Sequence, residues 1–184
     1  MVDIFITHIH EDEIVARGLH RFLQAKLKGT SARVFLSSDP TQLRLGDDWL
    51  RKIQEALKSA KLVLAIFSEE SVNRPWVNFE AGGAWFVEGK TLIPLCVGDI
   101  RPESLPKPYS NIQGAHLEEE SSLWYLVQAI WDVFSWPGTS PPPFSQDDED
   151  VAQFNRDLEW WDSQRRAEKA AKRRSQPRDD SSEG

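Results

Sequence analysis

Ser71-Val72-Asn73-Arg74-Pro75-Trp76-Val77-Asn78-Phe79-Glu80-Ala81-Gly82-Gly83-Ala84-Trp85 comes closely after the unbroken apolar run Leu62-Val63-Leu64-Ala65-Ile66-Phe67. The run has the length of a strand and no polar residue, which suits a strand buried on both faces. The Ser71–Trp85 stretch reads as the start of a helix. Pro75 fits a first helical turn, where a missing N–H costs nothing, and Ser71 or Asn73 can cap the end. Trp76 and Glu80 are four apart and share one helix face. A carboxylate one turn beyond a buried strand's C-terminal end stands where open α/β sheets hold their ligands. The same spacing also fits a plainer arrangement, with Glu80 paired to a surface arginine and Trp76 in the core. Spacing alone favours the plainer arrangement, because such pairs arise readily by chance.

Outward from this stretch, strand and helix patterns alternate. Residues 2–7 read as a first strand. Residues 12–28 read as a helix, with Ile14, Val15, Leu19, Phe22, Leu23 and Leu27 at helical spacing and Gly29 to stop it. A second strand is expected at 32–37, followed by a turn-rich loop, 38–46, that carries Leu43 and Leu45. Asp47 or Asp48 can cap a helix holding Trp49, Leu50, Ile53, Ala56 and Leu57 on one face. The Pro75 helix is expected over 74–87. A fourth strand is expected at 91–97, where Pro94 calls for a bulge or a position whose N–H is not needed. A fifth is expected at 112–117. Glu118, Glu119 and Glu120 then open a helix through residue 134, with acids at its positive end. Five alternations predict an α/β fold with a parallel sheet covered on both faces.

The chain divides by composition into a folded domain, 1–135, and a Pro/Ser-rich linker, 136–146. A charged amphipathic helix, 147–175, and a disordered tail, 176–184, complete it. In the last helix Val151, Phe154, Leu158 and Trp161 form a stripe, with Trp160 beside it, which implies docking on an apolar surface. Its acids gather at the front and its bases at the back, as the helix dipole favours.

Composition narrows the function. Net charge is −7, which argues against nucleic acid as a partner. No apolar run is long enough for a membrane span, the N-terminal residues carry no signal-like segment, and the single cysteine, Cys96, fits a reducing cytoplasm. His8-x-His10 followed by Glu11 and Asp12 resembles the metal-binding strand ends of some hydrolases. Only His20 and His116 remain to complete such a site, and no metal is expected. A phosphoacceptor receiver needs an aspartate after strand three, where this chain has Phe67-Ser68.

Four motifs in order carry a family resemblance. They are Phe5-Ile6-Thr7-His8, Val34-Phe35-Leu36-Ser37-Ser38-Asp39, Gly46-x-x-Trp49-Leu50 and Pro75-Trp76-Val77-Asn78-Phe79-Glu80-Ala81-Gly82. Together they resemble a bacterial TIR (Toll/interleukin-1 receptor) domain of the NAD+-cleaving kind, over roughly residues 2–134. The resemblance implies a flavodoxin-like five-stranded parallel sheet with helices on both faces, here followed by a C-terminal helical tail. It places Glu80 on the family's catalytic glutamate. Thr7, His8, Ser37, Trp49 and Trp76 fall on positions lining the nucleotide site, and the loop carrying Leu43 and Leu45 on a self-association element.

The implied activity is cleavage of the nicotinamide–ribose bond of NAD+, giving nicotinamide with ADP-ribose or a cyclic isomer. NAD+ is then substrate, and no cofactor is needed. The implied setting is a cytoplasmic, homo-oligomeric enzyme of anti-phage defence or signalling, with a separate sensor or effector protein and no membrane or nucleic-acid partner. A non-catalytic TIR adaptor stays open as the alternative. A nucleoside deoxyribosyltransferase-like enzyme also uses one glutamate, but this chain's strand-two loop pattern is foreign to it.

Overall fold

All six side chains of Leu62–Phe67 (β3) are buried, and they divide by alternation between two apolar layers. Leu62, Leu64 and Ile66 face one layer, and Val63, Ala65 and Phe67 face the other. In the computed structural model the described residues are 2–38, 48–74, 77, 82–83, 88–136 and 140–175, with the side chains at 49, 50, 173 and 175 left aside. Five strands, Ile4–Thr7 (β1), Val34–Leu36 (β2), β3, Thr91–Cys96 (β4) and Ala115–His116 (β5), form one parallel sheet. Their order is β2-β1-β3-β4-β5, the flavodoxin-like arrangement.

Helices Glu13–Lys26 (α1), Ser122–Phe134 (α3) and Glu149–Ser175 (α4) cover one face of the sheet. Helix Trp49–Ser59 (α2) and the helical, fully buried Val77 cover the other. On that side Phe5 stacks on Phe35 with centroids 5.4 Å apart, and Ile53 and Ala56 of α2 close over them. Asp48 is the residue that caps α2, its Oδ1 accepting from the Arg51 N–H at 3.1 Å.

Two elements differ from expectation. The fifth strand is only two residues long, because Ile112 closes a 3-10 turn over Tyr109–Asn111. The acids Glu118 to Glu120 precede α3 instead of forming its first turn, and the Glu118 carboxylate accepts from the Gly98 N–H at 2.7 Å. Pro94 sits in the regular ladder opposite Ala65 without a bulge. The N–H groups of Thr91 and Val97 point to β3, so the even positions face β5. Pairing with β5 begins only at Leu95, and the missing N–H of Pro94 leaves no bond broken.

The stripe on α4 docks on α1. Val151, Phe154, Leu158 and Trp161 join the same apolar layer as Val15, Leu19 and Phe22. Trp160 stays half exposed and outside the stripe. Gly18 permits this approach, since a Cβ there would lie 2.7 Å from the Asp157 carboxylate. Arg21–Asp157 and Lys26–Asp148, each at 2.6 Å, flank the seam. Partly exposed pairs contribute at most about 1 kcal/mol each, whereas burying a Phe or Leu side chain contributes about 1.5–3 kcal/mol. The apolar stripe therefore decides the docking, and the charges set its register.

Gly114 offers a direct check of the β4–β5 edge. A Cβ there would stand 2.6 Å from the Pro94 carbonyl oxygen. Gly114→Ala is expected to cost about 1–3 kcal/mol of stability by forcing β5 away from Pro94, read as a lower midpoint in chemical denaturation.

Candidate functional site

The sheet order creates a switch point between β1 and β3. The chain leaves β1 toward α1 on one face and leaves β3 toward Val77 on the other. The gap between two such exits, at the strands' C-terminal edge, is where open α/β sheets bind ligands. Thr7 ends β1 fully buried, in register with Ala65 of β3. His8 comes next, at the C-terminal edge of the sheet.

His8 is held by the exit of β2. Its Nε2 lies 3.0 Å from Ser38 Oγ, and its Nδ1 lies 3.5 Å from Ser37 Oγ. Burial lowers the imidazole pKa to about 4; Glu13 opposes that, while Arg17 and His10 add to it. His8 is therefore neutral at pH 7, with one ring N–H to donate and one lone pair to accept. A serine hydroxyl does both, so either tautomer satisfies the pair and leaves the hydroxyls capacity for a ligand. The cluster brings no positive charge, and so weak a base removes no proton at neutral pH. It suits hydroxyl and amide groups.

The structure thus brings His8 to Ser37, with Thr7 its chain neighbour at the end of β1. Ser38 completes the cluster and was not singled out from sequence, although its place directly after Ser37 at a strand end was the available signal. Trp49 opens α2, but its side chain lies outside the described residues, as do Trp76, Glu80, Leu43 and Leu45 entirely. The other histidines are spread apart. His10 is exposed beside Glu13 at 3.3 Å, His20 faces the Val34 carbonyl at 3.4 Å, and His116 faces the Gly98 carbonyl at 2.9 Å. Among the described residues no group of His, Cys, Asp and Glu side chains is placed to hold a metal ion. The Cys96 thiol is buried, and burial pushes its pKa up to about 12, so it is inert as a nucleophile.

The TIR domain family model matches residues 4–124, more than half of the chain and every strand of the sheet. The chain belongs to the TIR domain family. Among solved structures, this TIR domain is similar to the structure of the activated Roq1 resistosome directly recognizing the pathogen effector XopQ (TIR domains). The identity is 16%, with 89% of this chain and 84% of that chain covered and a TM-score of 0.45. No curated protein matches the chain.

The neutrality of His8 can be measured. In an NMR titration the His8 ring signals of this TIR domain are expected to keep their neutral positions through the neutral range, and to move only near pH 4. A His8 midpoint near 6.5, the ordinary histidine value, would contradict the buried Ser37–His8–Ser38 cluster.

Proposed function

We propose that this TIR-domain protein is an NAD+ glycohydrolase. What carries the reading is the family's Pro75-to-Gly82 motif, with Glu80 on the catalytic position, in a chain whose β1 and β2 exits gather uncharged hydrogen-bonding groups at the C-terminal edge of the sheet. Ordinary glycoside hydrolysis uses two carboxyls, one of them to protonate a departing alkoxide. Nicotinamide bound as a pyridinium takes the electron pair of the broken C–N bond and leaves neutral, so no general acid is required. One carboxylate then suffices, placed to stabilise the ribose as it becomes oxocarbenium-like. Glu80 takes that role, and Trp76, one turn away on the same face, walls the reacting centre. Thr7, His8, Ser37 and Ser38 hold ribose or amide groups, with Trp49 lining the nucleotide. Water forms the new C–O bond and gives its proton to solvent, yielding ADP-ribose. A ribose hydroxyl or the adenine of the same molecule forms the bond instead when the substrate folds back, and a group so held outcompetes water by a large factor.

Full activity in this reading needs neighbouring copies. Leu43 and Leu45 stand in a loop of turn-forming residues and supply contacts to a second TIR domain, whose docking closes the pocket. Among the described residues no helix is long and apolar enough to cross a membrane. We place the protein in cytoplasmic defence or signalling, with a separate partner that triggers it or reads its product.

Glu80→Gln keeps the shape and removes the charge. It is expected to abolish nicotinamide release, by at least about 100-fold, with the fold and melting temperature retained. Wild-type turnover in this variant would reject the mechanism, and an inactive wild type, even at high concentration, would favour an adaptor. Mass spectrometry of the products separates hydrolysis from cyclisation.

Specific activity is expected to rise with protein concentration, and Leu45→Asp to flatten that rise. A concentration-independent specific activity, the same in both proteins, would remove the assembly step.

A further inference from the structure

Helix α4 reaches past its apolar stripe to the C-terminal edge of the sheet and touches three strand exits there. At the β1 exit the Trp161 indole N–H donates to the Glu11 carbonyl at 3.3 Å. At the β4 exit the Trp161 ring packs so closely on Gly98 that a Cβ there would lie 3.2 Å from it. At the β3 exit Arg165 pairs with Glu70, and Lys169 pairs with Glu69 while reaching Asp99 at 3.4 Å.

Beneath these contacts lies a buried polar cluster. Asp12 is fully buried, and the Ser68 hydroxyl donates to its Oδ2 at 2.8 Å. Ser68 and Ser71 then fold the turn that leaves β3. The Ser68 N–H donates to Ser71 Oγ at 2.7 Å, the Val72 N–H to the Ser68 carbonyl at 3.1 Å, and the Arg74 N–H to the Ser71 carbonyl at 2.9 Å. The Arg74 guanidinium returns to Glu11 at 2.9 Å, tying the far end of the turn to the β1 exit. Arg165, nearly buried, lies over the Trp161 ring at 5.7 Å with its charge toward Asp12 and Glu70.

The buried charge of Asp12 works against stability. Burial raises the Asp12 carboxyl to about 6; the Ser68 hydroxyl, Arg165 and the Trp161 N–H oppose the rise, and Glu70 adds to it. Buried charge networks are often no more stable than apolar replacements. What the cluster does achieve is a fixed path for residues 68–74, and six residues beyond Arg74 the chain reaches Glu80.

We propose that Asp12 and Arg165 are positioning residues, which through Ser68 and Glu70 lock the turn over residues 68–74, from which the chain runs on to Glu80. Helix α4 is then a working part of the site. The proposal rests on the reading of Glu80 as catalytic and adds the residues that fix the turn preceding it in the chain.

The full-length protein tests it with Asp12→Asn and Arg165→Met. The Asp12 carboxyl has a higher pKa folded than unfolded, so its ionisation opposes folding. That penalty is complete above about pH 6 and gone below about pH 4. Asp12→Asn is therefore expected to melt higher than wild type at about pH 8, with the difference closing by about pH 4. Its kcat should nonetheless fall at least about tenfold with KM within about twofold, so that stability and turnover move in opposite directions. Arg165→Met should lower kcat likewise. In both variants hydrogen exchange at the Val72 and Arg74 amides should quicken at least about tenfold, with the amides inside β1 and β3 unchanged. Unchanged exchange at Val72 and Arg74 in both variants, or activity that simply follows melting temperature, would overturn the proposal. A wild type that cleaves no NAD+ would defeat the Glu80 reading alone, and the exchange at Val72 and Arg74 would still decide whether Asp12 and Arg165 hold the turn.

Discussion

Because every side chain of Leu62–Phe67 is buried, the chain must supply apolar cover on both faces of its central strand, and the connections must alternate sides to do so. With β1 and β3 adjacent, that requirement sends α1 to one face and Val77 to the other. The crevice at the strands' C-terminal edge is the geometric consequence of this two-sided cover. Open α/β sheets bind ligands at such an edge, and in the function we propose the residues that end β1 and β2 furnish the lining.

The chemistry of that lining comes from desolvation. Burial, more than any neighbouring charge, keeps His8 neutral, and two serine hydroxyls accept either tautomer. A neutral donor–acceptor cluster fits the NAD+ cleavage we propose, because that reaction starts from a cationic leaving group. A fixed positive charge at the same place would work against the developing ribosyl cation.

Helix α4 shows how one element serves two purposes at different energies. Its aromatic stripe on α1 supplies the binding energy, and Gly18 sets how closely the two helices approach. Beyond the stripe, Arg165 and Lys169 engage acids on the strand exits at little net gain in stability. Such contacts are kept apart from the core yet depend on it, since they form only when the stripe is seated.

Periodicity alone was enough for much of this protein. The solid apolar run of β3, the helical spacing in α1 and α2 and the stripe on α4 specified the elements, their order and the α/β class. The motif order pointed to the TIR family, and that resemblance assigned Thr7, His8 and Ser37 to a nucleotide site. Where sequence fell short, the missing information was three-dimensional. The residues after Asn111 read as a strand over 112–117, but the turn before them leaves room for only two paired residues. For Pro94 the sequence left open a bulge or a position whose N–H is not needed, and only the register, which turns its missing N–H toward the short β5, decided for the second. Trp160 and Trp161 are neighbours of equal hydrophobicity, and only the orientation of α4 on α1 decided that Trp161 is buried and Trp160 is not. Asp12 read as an ordinary helix-start acid beside Glu11 and Glu13. Its burial under Ser68, Trp161 and Arg165 comes from three segments far apart in the chain. A local pattern fixes which face of an element is apolar, whereas the identity of what covers that face, and the polar groups trapped beneath it, depend on the packing of distant segments.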